Sequence, residues 1–81
     1  MEKEKPMKFI EMTGQTLAAI VSDRELPSDG LGDAGVGDNS IVRINQHGDI
    51  EVRKANKWSI IGGLLGQFEV RVKEKTGFDW V

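Results

Sequence analysis

Eighty-one residues, with thirteen acidic and eleven basic side chains and a net charge of −2, describe one small, slightly acidic domain. The chain has no cysteine, which excludes disulfides and thiolate metal sites, and its single histidine leaves little from which to build a catalytic centre. The longest apolar run, Leu17–Val21, is far shorter than the ~20 residues a membrane helix needs, so no membrane segment is expected.

The charge is unevenly spread. Residues 1–39 carry four basic against eight acidic side chains, and residues 40–81 carry seven against five. Neither half is charged enough to argue for nucleic acid by itself. The opening MEKEKPMKF lacks the basic stretch and apolar segment of a secretory signal, so a cytoplasmic location is the default expectation. Ten glycines and few large apolar residues make a thin core. Association of copies is one way to complete such a core.

Residues 1–8 alternate Glu and Lys ahead of and around Pro6 and are expected to fray. Phe9-Ile10-Glu11-Met12 reads equally as a short strand or as the approach to a helix. From Thr16 onward, Leu17, Ile20 and Val21 recur at helical spacing, with Thr13 as a candidate cap and Pro27 as a stop. Residues 27–39, PSDGLGDAGVGDN, form a loop that repeats G-x-G-D once. Its carboxylates and carbonyls are of the kind that suit Ca²⁺, but the twelve-residue EF-hand pattern is absent and a plain connector is the simpler reading. The three aspartates of that loop would repel a phosphate.

Residues 41–53, IVRINQHGDIEVR, write a β-hairpin. With a three-residue loop Gln46-His47-Gly48, Ile44 faces Ile50 and Val42 faces Val52 on one face, while Arg43 faces Glu51 on the other. A two-residue loop would mix the faces. A second three-residue turn, Lys54-Ala55-Asn56, would set Val52 opposite Trp58 and Ile50 opposite Ile60, extending the apolar face into a third strand. Residues 62–77 read as a helix, with Leu64/Leu65, Phe68 and Val72 at helical spacing and Lys73, Lys75 and Gly77 at its end. The alternation of Phe68, Val70 and Val72 is the rival strand reading. Phe78 is expected to fold back on the last helical turn, and the ending Phe78-Asp79-Trp80-Val81 to dock on the sheet or on a neighbour.

The fold class is therefore α+β in one domain, residues 1–81. It comprises a three-stranded antiparallel meander over about residues 40–61, an N-terminal helix, and a C-terminal helix packed on the apolar face.

Few residues offer chemistry. His47 falls at a hairpin tip, where a solvated turn residue is the ordinary reading and general acid–base work would need a partner. Gly62, Gly63 and Gly66 between the third strand and last helix could aim N–H groups at an anion or small ligand, though a tight packing turn explains them as well. Arg43, Arg53, Lys54 and Lys57 gather on the polar sheet face and the second turn, diluted by Glu51 and Asp49. Trp58 and Trp80 belong to a core or to an interface. The segment IVRINQHGDIEVRK resembles the looped hairpins of swapped-hairpin DNA-binding antitoxins over about fourteen residues, without the proline that follows the second strand there. That likeness carries no residue role across.

No pairing of nucleophile with base is present, and no cofactor or metal is expected. The functional expectation is a non-enzymatic protein-binding or assembly module, homo-oligomeric, with Arg43, Arg53, Lys54, Lys57, Trp58 and Trp80 as binding residues. The alternatives are a nucleic-acid-binding regulator using the basic face and an anion binder at Gly62–Gly66.

Overall fold

The computed structural model describes residues 7–22, 24–25 and 28–80. The elements in chain order are β1 (Phe9–Thr13), α1 (Gly14–Ile20), α2 (Ser28–Asp33), β2 (Ile41–Asn45), β3 (Asp49–Lys54), β4 (Lys57–Gly63) and α3 (Phe68–Thr76). The strands form one antiparallel sheet in the order β1-β2-β3-β4. The α+β class stands, but the sheet has four strands: Phe9–Thr13 is a strand, and it pairs along its whole length with Ile41–Asn45. Of residues 1–8, expected to fray, 1–6 lie outside the described residues, as does the stop at Pro27, while Lys8 N donates to Gln46 Oε1.

The first hairpin has the register its alternation requires, with Val42 opposite Val52, Arg43 opposite Glu51 and Ile44 opposite Ile50. Asn45 ties the turn: its Oδ1 accepts from the N–H groups of His47 and Asp49 at 2.9 and 3.0 Å, and its Nδ2 donates to Asp49 Oδ2 at 3.0 Å. Gly48 takes a left-handed φ of +90° and donates to Asn45 O.

The second hairpin differs from expectation. Ala55 and Asn56 both adopt left-handed φ, +48° and +69°, between paired Lys54 and Lys57. This is a two-residue turn of the kind whose twist matches that of the flanking strands. The register moves by one residue, so Val52 faces Ser59 and Arg53 faces Trp58, while Glu51 faces Ile60. Trp58 and Ile60 therefore lie on the face turned away from the core, not on the apolar face. A bulge beside Ile50/Glu51 absorbs the slip and brings Gly62 opposite Ile50. Ile61, the extra residue, packs partly against the core.

One face of the sheet, with Ile10, Val42, Ile44, Ile50 and Val52, is covered by Leu17 and Ile20 of α1 and by Leu64, Phe68 and Val72. The cover expected from Leu64 to Val72 is thus present, although the helix proper begins only at Phe68. Thr13 caps α1, its Oγ1 accepting from Thr16 N. Gly77, with φ +79°, ends α3 and donates to Lys73 O. Phe78 donates its N–H to Thr76 Oγ1 and stays 65% exposed, and Trp80 is the residue that docks. Its Nε1 donates to Ile44 O at 2.9 Å, and its ring meets Phe68 edge-on at 5.6 Å.

The Gly/Asp loop is more than a connector. Residues 28–33 form α2, Leu31 and Ala34 pack against the core, and Val36 is buried in it. Its far end closes on α1, where Gly14 N donates to Ser40 O and Gln15 N to Asp38 O. A side chain at Gly14 would meet Gly37 O at 2.0 Å, so the two backbones can approach only because a glycine stands there. Among the described residues, no group of three or more His, Asp or Glu side chains is arranged to hold a metal ion. No described helix is long and apolar enough to cross a membrane.

Candidate interaction face of the sheet

The outer face of the sheet is built from the residues that alternate with the core. β1 contributes Phe9 and Glu11, β2 Ile41 and Arg43, β3 Glu51 and Arg53, and β4 Trp58 and Ile60. Arg43 stands at the centre. Its Nε and Nη2 donate to Glu51 Oε1 at 3.1 and 2.8 Å. The guanidinium carbon lies 3.7 Å from the centroid of Phe9 and 4.1 Å from that of Trp58. Two aromatic rings and one carboxylate thus hold a cation on an outward-facing surface, with side-chain exposures of only 22% for Arg43 and 12% for Glu51. The planar guanidinium can stack on a ring and hydrogen-bond at its edge at once.

Around this shielded pair the face is apolar and open. Phe9 and Ile41 are exposed, and Ile60 is 70% exposed. Arg53, Lys54 and Lys57 are exposed at the β3–β4 end of the face. Lys54 bends away, its Nζ donating to Ala34 O. The face joins Arg43, Arg53 and Trp58 with Phe9, Ile41 and Ile60, which the sequence reading did not assign to a surface. The period-two pattern of Phe9, Glu11 and Thr13 was the available signal for β1. A three-residue second turn puts Trp58 and Ile60 on the apolar face, and the two-residue turn puts them on this one. Trp80 stands apart, buried on the core side with its N–H satisfied by Ile44.

Gly62 and Gly63 are strand residues opposite Ile50 and Asp49, and only Gly66 has a left-handed φ, +65°. The next two N–H groups are already used: Leu64 N donates to Gly48 O and Leu65 N to the Glu25 carboxylate. Arg71 Nη1 donates to Glu25 Oε1 and to Ile20 O, both at 2.8 Å, and Arg71 Nη2 donates to Glu25 Oε2 and Leu65 O. Ser22 donates to the same carboxylate through its N–H and hydroxyl. The place where an external anion was expected is filled by the chain's own Glu25, whose side chain is 1% exposed. Arg71, followed by the Leu65 and Ser22 N–H groups, outweighs burial and holds the Glu25 carboxyl down at about 2 from an ordinary 4.5. The same pairing raises Arg71. Glu25 was not singled out in the sequence, because its partners lie on segments far away in the chain.

His47 is exposed at the hairpin tip. A shallow cleft of about 300 Å³ lies between the β1 edge and the end of α3. No family model, curated protein or solved structure matches this chain.

Proposed function

We propose that this chain is a non-enzymatic protein-binding or assembly module that works as a homo-oligomer, with the outer face of the sheet as its docking surface. The observation that carries this is the open apolar ring of Phe9, Ile41 and Ile60 around the shielded Arg43–Glu51 pair. Aromatic and arginine side chains at the centre and charges at the rim are the composition of a protein interface. A second copy suits the face because both signs of charge occur on it, Arg53 with Glu11, so a two-fold axis can bring unlike charges together. Face-to-face packing of two sheets is a standard way to bury such surfaces.

Sedimentation from micromolar to millimolar protein tests this reading. Ile60→Glu places a charge on a residue outside the core, so the fold is retained. Each copy loses a buried isoleucine contact worth roughly 1.5–3 kcal/mol, so self-association weakens by at least about a hundredfold. A monomer throughout the range sinks the reading.

One observation favours a second reading, a nucleic-acid-binding regulator: Phe9 and Trp58 are interleaved with Arg43 and Arg53 on one sheet face, the pattern on which single-stranded bases stack. Affinity for single-stranded DNA and RNA measured from 50 to 200 mM salt decides it. A slope near zero removes it, because phosphate contacts must release counterions.

A further inference from the structure

The two edges of the sheet are not alike. β4 begins at Lys57, carries a bulge opposite Ile50/Glu51 and ends in Gly62-Gly63. These are features that blunt an edge against further pairing. β1 lacks the bulge and the glycines: Phe9–Thr13 runs in unbroken register with β2, with Glu11 as its one charge and Lys8 just before it.

The direction of the β1 backbone follows from its two ends. Gly14 N donates to Ser40 O at 2.9 Å and Lys8 N to Gln46 Oε1 at 3.1 Å, both toward β2. Backbone groups alternate along a strand, so Ile10 and Met12 point toward β2 in step with them. Phe9 and Glu11 point the other way, into the edge that no other described strand pairs. Beside that edge lies the shallow cleft of about 300 Å³, lined by Glu11, Met12 and Thr13 of β1, by Thr16, and by Lys75, Thr76 and Phe78.

We propose that the β1 edge pairs antiparallel with the β1 edge of a second copy, joining two sheets into one. This rests on the assembly reading above and adds to it a second interface of a different kind. One register brings all of Met7–Thr13 into pairing without opposing like charges. With the two-fold axis at Ile10, Phe9 faces the second copy's Glu11, Lys8 faces its Met12 and Met7 faces its Thr13. No like charges are opposed, and the outward N–H and C=O groups of Phe9 and Glu11 exchange hydrogen bonds. With the axis at Glu11, two carboxylates would stand directly opposite each other, which disfavours that register. Edge pairing and face packing together build a closed tetramer with two perpendicular two-fold axes.

Masses by sedimentation separate the two interfaces. Glu11→Pro removes an outward donor while leaving the β1–β2 ladder intact, as proline is tolerated where a strand's N–H faces away from the sheet. Glu11→Gln, which loses the same face charge but keeps the N–H, is its control, and only a loss of mass specific to proline counts for the edge. The expected series is a tetramer for the wild type, a face-paired dimer for Glu11→Pro, an edge-paired dimer for Ile60→Glu, and a monomer for the double variant. A mass unchanged by Glu11→Pro overturns the edge pairing. A mass unchanged by Ile60→Glu overturns only the face. Should Glu11→Pro not fold, amide exchange of the wild type decides. Phe9 and Glu11 N–H exchange slows at least tenfold between micromolar and millimolar protein, and an exchange rate independent of concentration overturns the proposal.

Discussion

Gly48 joins the first hairpin to the helical layer, and replacing it by alanine tests how tightly the two are locked. Its φ of +90° is one that an L side chain adopts only at a cost of about 1–2 kcal/mol. An added Cβ would lie 3.0 and 3.1 Å from Cε1 and Cζ of Phe68 and 3.2 Å from Leu64 O. Phe68 cannot swing aside freely, because it is buried and its ring meets Trp80 at 5.6 Å. Overpacking at such a site costs about 1–3 kcal/mol. Gly48→Ala should therefore cost ~2–5 kcal/mol, out of a total that is roughly 4–12 kcal/mol for a domain of this length. Urea unfolding followed by tryptophan fluorescence reads this as a large fall in the transition midpoint at constant slope. Gly48→Asn separates the parts, since asparagine tolerates left-handed φ but brings the same Cβ. Phe68→Leu removes the ring atoms, so Gly48→Ala should cost about 1 kcal/mol less in that background. A Gly48→Ala cost below about 1 kcal/mol, or no coupling to position 68, refutes the reasoning.

Other outcomes follow from the same geometry. Glu25 carries a carboxyl lowered to about 2, chiefly by Arg71, so its stabilisation is complete above the unfolded value near 4.5 and is lost as pH falls from there toward 2. With Arg71 partly solvent-exposed, Glu25→Gln should cost only ~1–2 kcal/mol at pH 7 and flatten the acid limb of stability against pH; an unchanged acid limb argues against the clamp. Changing Ala55 to Asn together with Asn56 to Gly supplies the residues a two-residue turn with two left-handed positions prefers. This should raise stability by about 0.5–1 kcal/mol in thermal unfolding, and a loss would return the turn to three residues. Trp80→Phe keeps the ring contact with Phe68 but drops the donor to Ile44 O, costing ~1–2 kcal/mol; no loss would mean that Trp80 is not an anchor.

The first hairpin was readable because every determinant is local. Four apolar residues at period two, a glycine at the left-handed position and an asparagine that hydrogen-bonds its own turn all lie within Ile41–Arg53, and they agree. The second turn departs from its local pattern, because the apolar character of Trp58 and Ile60 favours a three-residue turn that would bury both. In the folded chain Trp58 instead covers Arg43, a residue made its neighbour only by the pairing of β2, β3 and β4. The bulge that reconciles the shorter turn with Gly62 opposite Ile50 has no signature in single-residue periodicity.

The sequence by itself determined the class of the fold, the register of β2 on β3, the cap at Thr13, the stop at Gly77 and the residues of Leu64–Val72 that cover the sheet. In each of these the governing distances span only a few positions in the chain. Tertiary structure decided that Phe9–Thr13 is the edge strand, that Glu25 fills the anion place beside Arg71, and that Phe9, Ile41, Arg43, Trp58 and Ile60 share one open face. Each of those depends on segments brought together across the chain, where the burial of one side chain is set by which distant residue lies over it.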